Sequence, residues 1–147
     1  MLVEALQDVL TTDPGMVTLL GTPATRPDST NGVFPTQAID QPTMPYVVLS
    51  QVSGVPTAGE LMKGTGPLTT ERWRLSCHGT TYFRAKKFAK YVRRFLLSLF
   101  GPNAAGKCIV QGAACLMEAD FSENLGKGTE YSTHIDFEFV YIDQDVA

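Results

Sequence analysis

Histidine occurs only twice and tryptophan once in this chain of 147 residues, and no Gly-x-Ser-x-Gly segment is present. Nucleophilic catalysis needs a Ser or Cys beside a base that a third group orients. His78 and His134 are the two imidazoles available for that role. His134 falls two residues from Asp136 on the polar side of a predicted strand, where a solvated or interface pair is the simpler reading. Metal ligands are equally sparse. Cys77 and His78 are neighbours in a predicted strand, so their side chains point to opposite faces and do not share an ion. The three cysteines, Cys77, Cys108 and Cys115, are an odd number, and a chain of this length needs no disulfide framework. Reduced, mostly buried thiols are expected. No segment approaches the roughly 20 apolar residues that span a bilayer, and Glu4 stands where a signal peptide carries basic residues. These shortages point away from an enzyme, a cofactor or a membrane partner, and toward synthesis in the cytosol.

What is present suffices to fold. Apolar residues make up 44% and charged residues 18%, with eight Phe and five Tyr, which suits one domain over residues 1–147 with one core. Leu2, Val3, Leu6, Val9 and Leu10 recur at helical spacing. Asp13 and Pro14 then read as a cap and first position of a second short helix, which Gly21 ends. Residues 21–45 hold five prolines together with Asp28, Ser29, Asn31 and Gly32 and read as a long flexible loop, with a brief extended piece at Val33-Phe34. Strands are predicted at 46–52 and about 69–77, separated by a second flexible loop over 54–68. Thr80 or Thr81 caps the longest helix, reaching about Phe100, with Ala85, Phe88, Ala89, Val92, Phe95, Leu96 and Leu99 in one arc. Further strands are expected at 108–118 and from about Tyr131. In the last, Tyr131, Thr133, Ile135, Phe137, Phe139 and Tyr141 face one way and Ser132, His134, Asp136 and Glu138 the other. The expected class is α+β: a mostly antiparallel four-stranded sheet packed against one long helix, with short N-terminal helices.

Charge is segregated along the chain. Six of the twelve Lys/Arg lie between Arg84 and Arg94 with no acid among them, whereas eight acids and one base, Lys127, follow from Glu118 onward. Lys86, Lys90, Arg93 and Arg94 form a cationic stripe on the helix. It reads as a solvated face, a contact for an acidic protein surface, or a phosphate contact. Residues 101–108 have the phosphate-loop spacing but end in Cys108 in place of Ser or Thr. They also follow a helix and lead into a strand, the reverse of the required context. A helix stop and turn is the expectation there.

Pro45-Tyr46-Val47-Val48 after a Pro-rich loop, Gln51-Val52-Ser53-Gly54, a strand containing Trp73, and Thr81-Tyr82-Phe83-Arg84-Ala85 opening a basic helix together resemble the phage tail-completion family. The layout is also similar to the lambda-type tail terminators, with their helix, hairpin, helix, hairpin order and acidic final hairpin. The resemblance implies a ring of copies, typically six, that stops tail-tube growth and joins the tube to the head. The implied partners are copies of itself, the tail tube protein and head–tail connector or neck proteins. DNA would pass through without sequence-specific binding, and the implied location is the virion tail or neck, with assembly in the host cytoplasm. A ring joins two unlike patches head to tail. The basic face (Lys86, Lys90, Arg93, Arg94) and the acidic last hairpin (Asp136, Glu138) would supply them. Leu61, Met62 and Lys63 in the second loop are candidates for partner contact, since Leu and Met in a Gly/Pro-rich loop lack a local core. The alternative function is a small nucleic-acid-binding module that uses helix 84–94.

Overall fold

The amphipathic repeat at the N-terminus forms α1 (Leu2–Thr12), which buries Leu2, Ala5, Leu6, Val9 and Leu10 on a single stripe. Asp13 caps α2 (Pro14–Leu20) by accepting the Met16 N–H at 3.0 Å, satisfying a donor that the helix itself leaves unpaired. The computed structural model describes residues 2–40, 42–56, 68–98, 101–104, 108–124 and 129–143. Beyond α2 lie β1 (Val33–Pro35), β2 (Tyr46–Pro56), β3 (Leu68–Gly79), α3 (Tyr82–Leu97), β4 (Gly101–Ala104), β5 (Cys108–Asn124) and β6 (Thr129–Asp143).

The architecture is α+β. One sheet runs in the order β1-β2-β3-β6-β5-β4, with β1 and β2 parallel and the other neighbours antiparallel. The four predicted strands correspond to β2, β3, β5 and β6, so the four-stranded expectation is corrected to six. Both additions are edge strands of three or four residues, too short for periodicity to reveal. β1 falls on the brief extended piece expected at Val33-Phe34 within the predicted loop, and β4 on the Gly101-Pro102 segment read as a turn. The helix layer is also corrected. Three helices, and not one long one, supply the core on a single sheet face: Leu2, Leu6, Met16 and Leu20 join Phe88, Val92 and Leu96 against Val47, Leu75 and Phe137. Each such side chain contributes about 1.5–3 kcal/mol by leaving water. α3 is capped by Thr81, whose hydroxyl accepts the Arg84 N–H, and ends at Leu97 with Ser98 as C-cap, short of the predicted Phe100.

Side-chain bonds fasten the predicted loop over residues 21–45 at several of its described positions. The Arg26 side chain is 2% exposed and that of Asp28 5%, and they pair at 3.0 Å. Arg26 also donates to the carbonyls of Leu20 (2.8 Å), Pro45 (2.7 Å) and Thr43. Asp28 in turn accepts from the backbone of Thr30 and Thr43. A loop with few apolar residues is thus closed by one buried guanidinium that meets its carbonyls. Of the second predicted loop, Gly54 to Pro56 extend β2 and Leu68 begins β3. Residues 57–67, and with them Leu61, Met62 and Lys63, lie outside the described residues.

Candidate assembly surfaces

Strict alternation along β3 and β6 divides the sheet into two faces. Trp73, Leu75 and Cys77 pack with Thr133, Ile135, Phe137 and Phe139 beneath the helices. Arg72, Arg74, Ser76 and His78 stand on the other face, directly opposite Glu138, Asp136, His134 and Ser132. No helix covers this second face among the described residues. Cys77 and His78 therefore point apart, and burial pushes the Cys77 thiol well above its ordinary range. Cys77, Cys108 and Cys115 are not joined in disulfides.

The predicted assembly residues Asp136 and Glu138 lie on this open face, each already engaged by a cation of its own molecule. Arg74 grips Asp136 with two parallel bonds of 2.8 and 3.1 Å, and Arg72 reaches Glu138 at 3.4 Å. The bidentate contact holds the Asp136 carboxyl below its usual range. The suggested contact between His134 and Asp136 is not formed. His134 instead lies against the Phe121 ring, centroids 4.4 Å apart, with Ser132 at 3.4 Å.

With its charges paired internally, the open face is left with an apolar remainder. β2 bulges between Gln51 and Ser53, and β5 between Cys115 and Met117. A bulge inserts a residue that breaks alternation and turns its neighbours outward. Val52 and Leu116, the inserted residues, stand exposed with Met117 around a shallow depression shared with Arg72 and Asp136. Phe121 is 52% exposed further along β5. Sequence reading missed all four. The available signal was the run Ala113 to Met117, consecutive apolar residues that cannot all lie on one face of a strand.

At the far end of the same face, Tyr46 stacks on His78 with centroids 4.3 Å apart. Glu130 accepts from the Tyr46 hydroxyl at 2.6 Å and lies 2.7 Å from His78 Nδ1. Burial lowers the His78 pKa despite the nearby Glu130 and Glu123 carboxylates, and raises that of Tyr46. The Tyr, Glu and His satisfy one another, and Ser132 lies directly opposite His78 on the neighbouring strand.

The helix carries the second surface, and its predicted stripe divides in two. Lys86 lies 3.2 Å from Asp120 and 3.7 Å from Glu118, and Arg93 lies 3.8 Å from Glu118. These two cations lean over β5 and are neutralised within the molecule. Lys90 and Arg94 point outward and have no carboxylate within ion-pair distance among the described residues. The acid-rich second half of the chain is thus dispersed by the fold: Glu118 and Asp120 face α3, whereas Glu130, Asp136 and Glu138 face the other way.

No protein-family model matches the chain, and no curated protein matches it. Among solved structures, it is similar to a chain in the virion of a native gene transfer agent particle. The two share 14% identity and a TM-score of 0.56, covering 94% of this chain and 92% of the other. At that identity the likeness shows a common fold along nearly the whole of both chains.

Proposed function

We propose that this protein is a structural component of a virion, and within it a tail terminator or completion subunit. Copies assemble into a ring, in the hexameric form that the sequence resemblance implies, which caps the tail tube and joins it to the head connector. Catalysis has no part in this role, and the protein acts through the shape and chemistry of its surfaces. The observation that carries the reading is the fold shared over 94% of the chain with a virion chain. It is supported by an open sheet face whose charges are paired at home and whose bulges expose Val52, Leu116 and Met117. A ring closes when one patch of each copy meets a different patch of the next, and the sheet face and the helix layer are two such unlike patches on opposite sides.

The test is the mass and electron-microscopic appearance of the purified protein, alone and after mixing with tail tubes. Closed rings, or ring density at one tube end, are expected. A protein that stays monomeric and leaves both tube ends bare refutes the reading.

A further inference from the structure

Nine Lys and Arg side chains fall within the described residues, and five of them meet a carboxylate: Arg26, Arg72, Arg74, Lys86 and Arg93. The remaining four, Arg84, Lys87, Lys90 and Arg94, all lie on α3 and all are exposed. They do not lie alone. Phe83, Lys87, Lys90, Arg94 and Leu97 follow one another at steps of four, three, four and three residues, the spacing that makes a straight ridge along a helix. Phe83 at one end is 80% exposed and Leu97 at the other 39%. Beside the Phe83 end opens a cleft of ≈ 310 Å³ with Leu19, Met44, Pro45 and Phe88 in its wall and Arg84 and Lys87 at its rim.

We infer that this ridge and cleft form a docking site for an acidic segment of another virion protein, one that carries a large apolar side chain next to its carboxylates. The apolar side chain enters the cleft against Phe88 and Met44. The carboxylates lie along Arg84, Lys87, Lys90 and Arg94, which span about 15 Å at the helical rise. Charge complementarity selects the sign of the partner, because every unpaired described cation is gathered here and no acid interrupts them. The apolar parts select its class. A phosphate backbone offers nothing to Phe83 or to the apolar cleft wall. A protein segment satisfies both parts at once.

The site rests on the virion reading only in assuming a protein neighbour, so the two fail separately. Tube capping by the unaltered protein is scored first and tests that reading alone. Docking is then measured with a short synthetic Glu-rich peptide bearing one Phe, beside a version with Gln for Glu, a version with Ser for Phe, and a short DNA duplex. The full chain should bind the first peptide, more weakly as salt rises, and bind the other three at least about tenfold less well. Lys87→Glu with Lys90→Glu should abolish the preference for the acidic peptide. Phe83→Ser should weaken binding of the Phe peptide at high salt as well as low. The substituted side chains are exposed, and circular dichroism and the thermal transition confirm that each variant is folded. Failure of the acidic peptide to bind, tighter binding of the duplex than of the peptide, or indifference of the charge-reversed variant would each overturn the proposal.

Discussion

Arg26 organises the longest irregular stretch of the chain from a single position. Its guanidinium is out of water, and its donors reach three carbonyls and the Asp28 carboxylate. Removing one member of a buried pair leaves the other charged and without a partner, which costs about 3–5 kcal/mol. Arg26→Met is therefore expected to lower stability by that amount in urea unfolding, whereas a surface exchange such as Lys90→Gln should change it by less than about 0.5 kcal/mol. Arg26 holds the Asp28 carboxyl well below its ordinary 3.8. A carboxylate whose folded pKa is depressed stabilises the fold above its unfolded value and loses that effect as pH falls below it. The two histidines act in the same direction at higher pH. Burial lowers the pKa of both His78 and His134, so the unfolded chain binds more protons near pH 6. The urea midpoint should decline from about pH 7 to pH 5, and His78→Gln should flatten that slope. Nothing in the sequence singles out Arg26 or the His78 cluster, because apart from Asp28 their partners lie 6 to 84 positions away and become neighbours only when the chain closes.

The helices illustrate how much one side chain can join. The Asp13 carboxylate caps α2 and also accepts the Tyr91 hydroxyl of α3 at 2.7 Å. Tyr91 reaches it by lying across Gly15, where any Cβ would collide with the ring and its hydroxyl. Asp13→Ala should cost about 1–2 kcal/mol, a cap and a cross-helix bond together. A double-mutant cycle with Tyr91→Phe should show coupling of at least about 0.5 kcal/mol, and strict additivity would contradict the shared carboxylate. Gly15→Ala should destabilise the protein by displacing Tyr91, where an ordinary helix interior would gain from the same change. The cap Asp13 was legible from sequence, and Thr81 as one of the two candidates Thr80 and Thr81, since a cap is a local hydrogen bond between residues three apart. Of the edge strands, β1 was legible only as a brief extended piece at Val33-Phe34 and β4 not at all, because three or four residues carry no usable period and their pairing is set by distant partners.

At the scale of the whole molecule, the sheet presents one covered and one open face, and assembly should depend on the open one. Replacing Leu116 and Met117 with Asp removes exposed apolar surface without touching the core. The double variant should fold with an unchanged thermal transition, to within about 0.5 kcal/mol, yet fail to form rings or cap tubes. Normal ring formation by that variant would remove the open face from the assembly. The expected head-to-tail pairing of Lys86 and Arg93 with Asp136 and Glu138 meets a physical obstacle, since all four are engaged within the subunit. Any contact between copies through them must compete with those bonds. Lys90 and Arg94 carry no such cost.

Periodicity determined that the chain would be α+β, which residues would be buried on β6 and where α1 would begin, and capping residues marked the starts of α2 and α3, because each signal lies within or beside one element. The tertiary structure decided which charges remain available. Opposite charges that lie far apart in sequence cancel when strands pair and helices settle onto them, as Lys86 and Arg93 do over β5, while four cations on the outer side of α3 find no such neighbour among the described residues. It also decided the apolar patch, since a bulge depends on register between two strands, and no single strand contains that information.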